Sequence, residues 1–154
     1  MKTLVAYFSA SGVTRRQAEV LAEATGADLF EIVPEKPYTE ADLKYMNPLA
    51  RCNKEKLGRK DVPVAATIEN FDQYDVVLLG FPIWYGGAPN VINTFAKGYD
   101  WQVKRIGIFA TSGGSGIGRT AAKLQPFVKG AEIADAQVNL PLDEESLKAW
   151  KETI

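Results

Sequence analysis

The chain has 154 residues, of which 46% are hydrophobic and 24% are charged. These values are typical of a globular protein and predict a single domain spanning residues 1–154. Lys and Arg total 18 against 19 Asp and Glu. The sequence therefore lacks the basic excess that would indicate a nucleic-acid partner. The sequence has no histidine, and Cys52 is its single cysteine. This excludes Ser-His-Asp triads, Cys-His dyads, His-containing metal sites and intrachain disulfides. Redox activity would therefore require a bound cofactor.

The longest apolar runs are too short for a membrane segment, which needs about 20 residues. The N-terminal apolar stretch at residues 4–8 lacks the length and cleavage site of a signal peptide. We therefore expect a cytoplasmic protein with no membrane partner.

The first elements predicted are a strand, a helix and a second strand. Residues 3–8 form an apolar run typical of a buried strand. A helix is predicted over residues 13–25, with Gly26 ending it, and a second strand over residues 28–33, closed by Pro34. The order of strand, helix and strand indicates a parallel βαβ unit.

A long connection follows over residues 34–74. Thr39 and Asp42 have the spacing of a capping box, so a short helix can begin there. Pro48 is expected to interrupt it, and the charged stretch 51–61 predicts an exposed, irregular crossover.

The second half of the chain continues the alternation. Its predicted elements are a strand over 75–81, a helix over 90–96, a strand over 104–110, a helix over 117–128 despite Pro126, a strand within 131–140, and a last helix capped by Asp143. The strand at 75–81 is apolar on both faces, which suits the centre of a parallel sheet. The pattern predicts an α/β fold with a doubly wound parallel sheet, in which ligands bind at the carboxyl ends of the strands.

The loop after the first strand, residues 9–14, combines hydroxyl side chains with a glycine before a helix. A helix N-terminus offers N–H groups to an anion, and Ser9, Ser11 and Thr14 add hydroxyl donors. The loop lacks the GxxxxGK and GxGxxG patterns, so it favours a mononucleotide phosphate that does not react. An ordinary Ser/Gly turn with a helix cap is the alternative.

The loop after the central strand, residues 81–89, holds Trp84 and Tyr85 between two prolines. Core packing does not fully account for two aromatic residues there, so they can form a wall for a planar ring. Gly86 and Gly87 leave space for the backbone to approach that ring. A hydrophobic corner beneath a helix is the alternative.

The loop after the fourth strand, residues 111–118, is rich in glycine. Such density costs conformational entropy on folding, so a closely approaching ligand explains it better than structure alone. Ser115 is not part of a GxSxG motif, and a hydrolase serine would lack its histidine. N–H and hydroxyl groups in this loop suit a heteroaromatic edge.

Together these three loops resemble the FMN-binding loops of the flavodoxin-like family, in particular a short-flavodoxin subgroup. That subgroup typically has a Ser/Thr-rich phosphate loop, a Pro-Ile-Trp-aromatic-Gly loop and a Thr-Ser-Gly-Gly-Ser loop. Residues 29–34 and Phe95 extend the similarity over nearly the whole chain. Two departures are Val13, where asparagine is common, and Tyr85, where a second tryptophan is frequent.

The resemblance implies FMN as the cofactor and a five-stranded parallel sheet of order 2-1-3-4-5. It also implies the binding residues. The phosphate loop would comprise Ser9, Ser11, Gly12, Val13 and Thr14; the ring would be flanked by Pro82, Ile83, Trp84, Tyr85 and Gly86; and its other edge would meet Thr111, Ser112, Gly113, Gly114, Ser115 and Gly116. A carbonyl near Gly86 and Gly87 is a hypothetical acceptor for the N5 hydrogen of the reduced flavin.

The implied function is electron transfer by FMN to redox partner proteins or small electron acceptors. The sequence shows no evident protein acid or base, and whether the protein is an enzyme stays open. A small NAD(P)H-dependent oxidoreductase acting on quinone-like acceptors is one alternative. The weak net charge argues against an acidic carrier, whereas the missing second nucleotide motif argues against a reductase. A flavin-free regulatory module of the same fold is a further alternative.

Overall fold

A five-stranded parallel sheet forms the centre of the structure. The computed structural model describes residues 2–43, 46–47, 49–57 and 61–154. The strands are β1 (Thr3–Tyr7), β2 (Asp28–Glu31), β3 (Val76–Pro82), β4 (Arg105–Thr111) and β5 (Glu132–Val138). Their order is β2-β1-β3-β4-β5, which confirms the predicted doubly wound sheet. The carboxyl ends of β1 and β3 therefore lie side by side at the point where the strand order reverses.

In the described ranges, five α-helices connect or follow these strands. They are α1 (Val13–Thr25), α2 (Arg51–Leu57), α3 (Asn90–Lys97), α4 (Thr120–Leu124) and α5 (Glu144–Glu152). The bounds of α1 are those predicted, and Gly26 ends it in the left-handed conformation at φ 68°. The Asp143 carboxylate accepts a hydrogen bond from the Ser146 N–H, so it caps α5 as predicted.

The sheet separates two apolar clusters because successive strand residues point to opposite faces. Val77 and Leu79 of β3 pack in the cluster that contains Phe95 of α3. Leu78 packs in the other, with Leu21 of α1 and Leu147 of α5. β3 is buried on both faces, as its unbroken apolar run predicted.

The crossover between β2 and β3 differs from its prediction. Residues 51–61 were expected to be exposed and irregular, but residues 51–57 form α2. Arg51 and Glu55 stabilise this helix through an i,i+4 ion pair of 2.9 Å. The capping box is confirmed, since Thr39 and Asp42 exchange hydrogen bonds of 3.0 and 3.2 Å. Pro48 lies outside the described residues.

The helix predicted over 117–128 is also shorter. α4 covers five residues and is followed by a 3-10 turn at Gln125–Phe127. Gly118 has φ 51°, a conformation that a right-handed helix cannot include. Pro126 has no N–H to donate, so the α-helix ends before it.

Smaller differences concern the strands. β2 stops at Glu31, two residues before the predicted end, and β5 is confined to Glu132–Val138. In the described part of the chain, no helix combines the length and apolarity that membrane crossing requires.

Candidate functional site

A cavity of about 670 Å³ opens at the carboxyl ends of the strands. All three predicted loops contribute to it, and so does the crossover. Its lining residues are Ala10, Ser11, Leu43, Cys52, Pro82, Ile83, Trp84, Tyr85, Ser112, Gly113, Gly114 and Ser115. The sequence correctly predicted that the loops converge, but it did not predict that Leu43 and Cys52 would join them.

The remaining predicted residues lie beside this cavity in the same loops, away from its lining. They are Ser9, Gly12, Val13, Thr14, Gly86, Thr111 and Gly116. The role of every predicted residue in cofactor binding, in the lining or beside it, stays a prediction.

The first loop leads into α1 through a left-handed glycine. Gly12 has φ 94° and precedes the first helical residue, Val13. The Gly12 N–H donates to Ser9 Oγ at 3.0 Å, which closes the loop on itself. Within the described residues no side chain caps α1. The first-turn N–H groups of this helix therefore suit an external acceptor such as a phosphate.

Thr14 connects the first loop to the third. Its Oγ1 lies 2.7 Å from Oγ1 of Thr111, at the end of β4. Both residues are buried, with exposed fractions of 2% and 5%. The two hydroxyls thus bond to each other and fix the relative position of the two loops.

The second loop contains a tight turn over residues 84–87. Trp84 and Gly87 exchange backbone hydrogen bonds of 2.9 and 3.2 Å. The central residues, Tyr85 and Gly86, have φ values of 55° and 75°, as a type I′ hairpin turn requires. The left-handed conformation costs a non-glycine residue such as Tyr85 about 1–2 kcal/mol. This strain places an aromatic ring where a glycine or asparagine would normally be found.

Trp84 packs against two other aromatic rings, which also contact each other. Its ring meets Phe8 edge-on at 5.6 Å and Tyr38 at 5.2 Å between centroids. Tyr38 is held in turn by Arg51, whose guanidinium lies 4.1 Å from the ring centroid, and by Glu55, which accepts its hydroxyl. Burial and the bond to Glu55 raise the pKa of Tyr38. α2 therefore supports Trp84 through Tyr38, a role that the sequence did not reveal.

Asn139, just after β5, orients the third loop. Its Oδ1 accepts from the Ser112 N–H at 3.0 Å, and its Nδ2 donates to the Ser112 carbonyl at 2.9 Å. Ser112 Oγ then accepts from the Gly114 N–H at 3.1 Å. Sequence reasoning missed Asn139 because it contributes to the loop from another strand.

The described cavity lining contains no carboxylate and no ammonium or guanidinium group. Its titratable side chains are Cys52 and Tyr85, whose hydroxyl donates to Cys52 Sγ at 3.5 Å. Burial, followed by this hydrogen bond, raises the pKa of Tyr85 to about 12. Tyr85 is therefore neutral at ordinary pH.

Known proteins share both sequence and fold with this chain. The flavodoxin family model matches residues 2–154. A candidate flavoprotein from Bacteroides eggerthii is 40% identical, with 99% of this chain and 97% of that chain covered and a TM-score of 0.91. One from Bacteroides uniformis is 36% identical, with coverage of 98% and 97% and a TM-score of 0.90.

A more distant structure has the same fold. It is a flavoprotein from Lactobacillus acidophilus in complex with FMN, 21% identical over 97% of this chain and 98% of that chain, with a TM-score of 0.72. No curated protein matches the sequence. The family match over almost the whole length confirms the resemblance on which FMN was predicted, and the chain therefore belongs to the flavodoxin family.

Proposed function

We propose that this protein binds FMN in the loop cavity and transfers electrons through it between redox partners. FMN is the cofactor expected for the flavodoxin family, to which the chain belongs. The observation that carries the electron-transfer proposal is the cavity itself. It combines a strained aromatic wall with open glycine backbone.

The residues present fit FMN in shape and donor type. A Cβ atom added to Gly113, Gly114 or Gly116 would meet no heavy atom within 4 Å, so the backbone there faces open space that a ligand can occupy. The uncapped start of α1 suits the phosphate. The Ser112 and Ser115 hydroxyls suit the polar parts of the molecule.

Each part of the cavity has a distinct task in this proposal. Bound FMN supplies one- and two-electron redox chemistry. The loop before α1 would hold the phosphate, whereas Trp84 and Tyr85 would flank the ring. Neutral Tyr85 and the third loop, whose lining residues carry no charge, would place no charged side chain of the lining beside the ring, which disfavours additional charge on the cofactor.

The exposure of the cavity favours a carrier. Tyr85 is 46% exposed, so the aromatic wall reaches the surface, where an electron donor or acceptor can approach the ring edge. A reductase would need a second substrate site. The present observations support electron exchange with partner proteins or small acceptors more directly.

The test starts with the purified protein and its absorption spectrum. We expect a yellow protein with stoichiometric FMN that a reductive titration reduces and air reoxidises. A colourless protein that does not bind added FMN would contradict the proposal. The same sample, mixed with NADPH and a quinone, separates the functions. Sustained turnover would identify a reductase, and its absence, together with electron transfer to a protein acceptor, would support the carrier.

A further inference from the structure

Lys123, near the C-terminal end of α4, contacts the turn that carries the aromatic wall. Its Nζ donates to the Gly86 carbonyl at 3.1 Å. The side-chain stem runs beside the next glycine, since a Cβ added to Gly87 would lie 3.3 Å from Lys123 Cδ. The lysine thus lies along the peptide between the two glycines, outside the cavity lining.

The peptide between Gly86 and Gly87 can rotate easily, and the residue before it is strained. Glycine backbone can rotate at little steric cost, and Tyr85 before it is held in a strained conformation with φ 55°. A carbonyl bonded to an ammonium group is fixed more firmly than one bonded to a neutral donor. The contact therefore opposes rotation of the turn at the point where rotation would otherwise be easiest.

The charge of Lys123 also matters. Within the part of the chain that the structure describes, Lys123 takes part in no ion pair. The described lining of the neighbouring cavity has no charged side chain. Among the described residues, the ammonium group is thus a positive charge without an ion-pair partner, close to a lining without charged side chains.

We propose that Lys123 is a positioning residue for the cofactor site: it anchors the Gly86 carbonyl, fixes the turn at 84–87 and adds positive charge to that edge. This inference rests on the proposed function, because its redox consequence requires bound FMN. Reduction adds negative charge to the cofactor, so a nearby ammonium group raises the reduction potential.

Three substitutions separate the anchor from the charge. Lys123→Met removes both while keeping an apolar stem, Lys123→Gln keeps a hydrogen-bond donor without charge, and Lys123→Arg keeps both. Lys129→Met, at an exposed lysine beyond α4, is the matched control for a general loss of charge. FMN affinity is measured by fluorescence quenching and the midpoint potential by reductive titration. Amide hydrogen exchange at 84–87 reports the turn in both the apoprotein and the FMN-loaded protein.

We expect Lys123→Met to weaken FMN binding by about 3- to 10-fold, to lower the midpoint potential and to accelerate exchange of the Gly87 N–H. Lys123→Gln should lower the potential but keep most of the protection from exchange. Lys123→Arg and Lys129→Met should match the unsubstituted protein.

Several results would overturn the inference. One is a Lys123→Met variant with unchanged affinity, potential and exchange. Another is an equal shift in Lys129→Met. A third is a lowered potential in Lys123→Met and Lys123→Gln with unchanged exchange in both, which would show a charge effect without an anchor. An unsubstituted protein that binds no flavin would instead contradict the proposed function, and apoprotein exchange would then decide whether Lys123 anchors the turn.

Discussion

The hydroxyl groups of Thr14 and Thr111 lie 2.7 Å apart in the interior, although 97 positions separate them in the chain. Thr14 belongs to the first turn of α1 and Thr111 is the last residue of β4. This bond connects the predicted phosphate loop to the glycine-rich loop. Since both loops border the cavity, their separation depends partly on one buried pair of side chains.

Replacing either threonine should therefore affect both stability and cofactor binding. Thr14→Val or Thr111→Val keeps the side-chain shape but leaves the other hydroxyl unpaired, at an expected cost of about 1–3 kcal/mol in the free energy of unfolding. The double variant should cost less than the sum of the two, because neither hydroxyl remains unpaired. Urea denaturation measures all three values, and strict additivity would contradict the role given to this bond.

The same variants test whether the Thr14 hydroxyl also contacts the phosphate, as the sequence predicted. If it does, Thr14→Val should weaken FMN binding more than Thr111→Val. Equal losses in the two variants would show that the hydroxyl acts through the connection between the loops alone. Fluorescence titration of each apoprotein with FMN makes the comparison.

Asn139 allows a sharper test of the third loop. Asn139 has φ 52°, so Asn139→Gly removes both side-chain bonds to Ser112 without backbone strain. Asn139→Ala removes the same bonds and adds strain of about 1 kcal/mol. Both variants should weaken FMN binding by about 10-fold, whereas the alanine variant should be the less stable of the two. Unchanged FMN affinity in Asn139→Gly would show that the loop holds its shape without this residue.

The parts of the fold that sequence predicted well depend on local periodicity. The bounds of α1 follow from its apolar face and from Gly26, and β3 follows from an apolar run without interruption. The loops at 9–14, 81–89 and 111–118 were recognised from composition. The topology of a parallel sheet then brings them to one edge.

The features that sequence missed depend on contacts between distant segments. No pattern around Asn139 indicates that its amide will bond to Ser112. α2 was missed because its charged residues resemble a solvated loop, although Cys52 is only 5% exposed against the cavity. No pattern indicates that Lys123, in a helix that begins after Gly118 and ends before Pro126, will contact Gly86, which lies 37 positions earlier in the chain.

Gly80 provides a test of core packing close to the site. A Cβ atom at this position would lie 2.2 Å from the ring of Phe109 on the neighbouring strand. Overpacking of this kind costs about 1–3 kcal/mol, occasionally more. Gly80→Ala should therefore lower the free energy of unfolding by about 3 kcal/mol or more. Phe109→Leu in the same chain should recover part of the loss.

Gly98→Ala is the control for the Gly80 substitution. Its added Cβ would lie 3.4 Å from the Phe95 carbonyl, in ordinary contact, and Gly98 has φ −82°. We expect little destabilisation from this change. Equal losses of unfolding free energy at the two glycines would contradict the packing account of β3 and β4.

Tyr74, between a 3-10 turn at Phe71–Gln73 and β3, should make stability depend on pH in the alkaline range. Burial, the hydrogen bond to Asp28 and the negative charge of Asp28 raise the pKa of Tyr74 to about 12; the bond is 2.7 Å long. The folded state thus keeps its proton at pH values where an unfolded tyrosine, with a pKa near 10, has lost it. The resulting stabilisation is complete below about pH 10 and is lost as the pH rises towards about 12.

The Tyr74→Phe variant isolates this contribution, because other buried tyrosines titrate in both proteins. The difference in unfolding free energy between the unsubstituted protein and the variant should change by about 2–3 kcal/mol from pH 9 to pH 12. Asp28→Asn keeps an acceptor for the hydroxyl but removes the negative charge, so it should give an intermediate slope. Urea denaturation at a series of pH values provides the measurement. Parallel curves for the unsubstituted protein and Tyr74→Phe would show that the folded structure does not hold this proton, because a phenylalanine has none to lose.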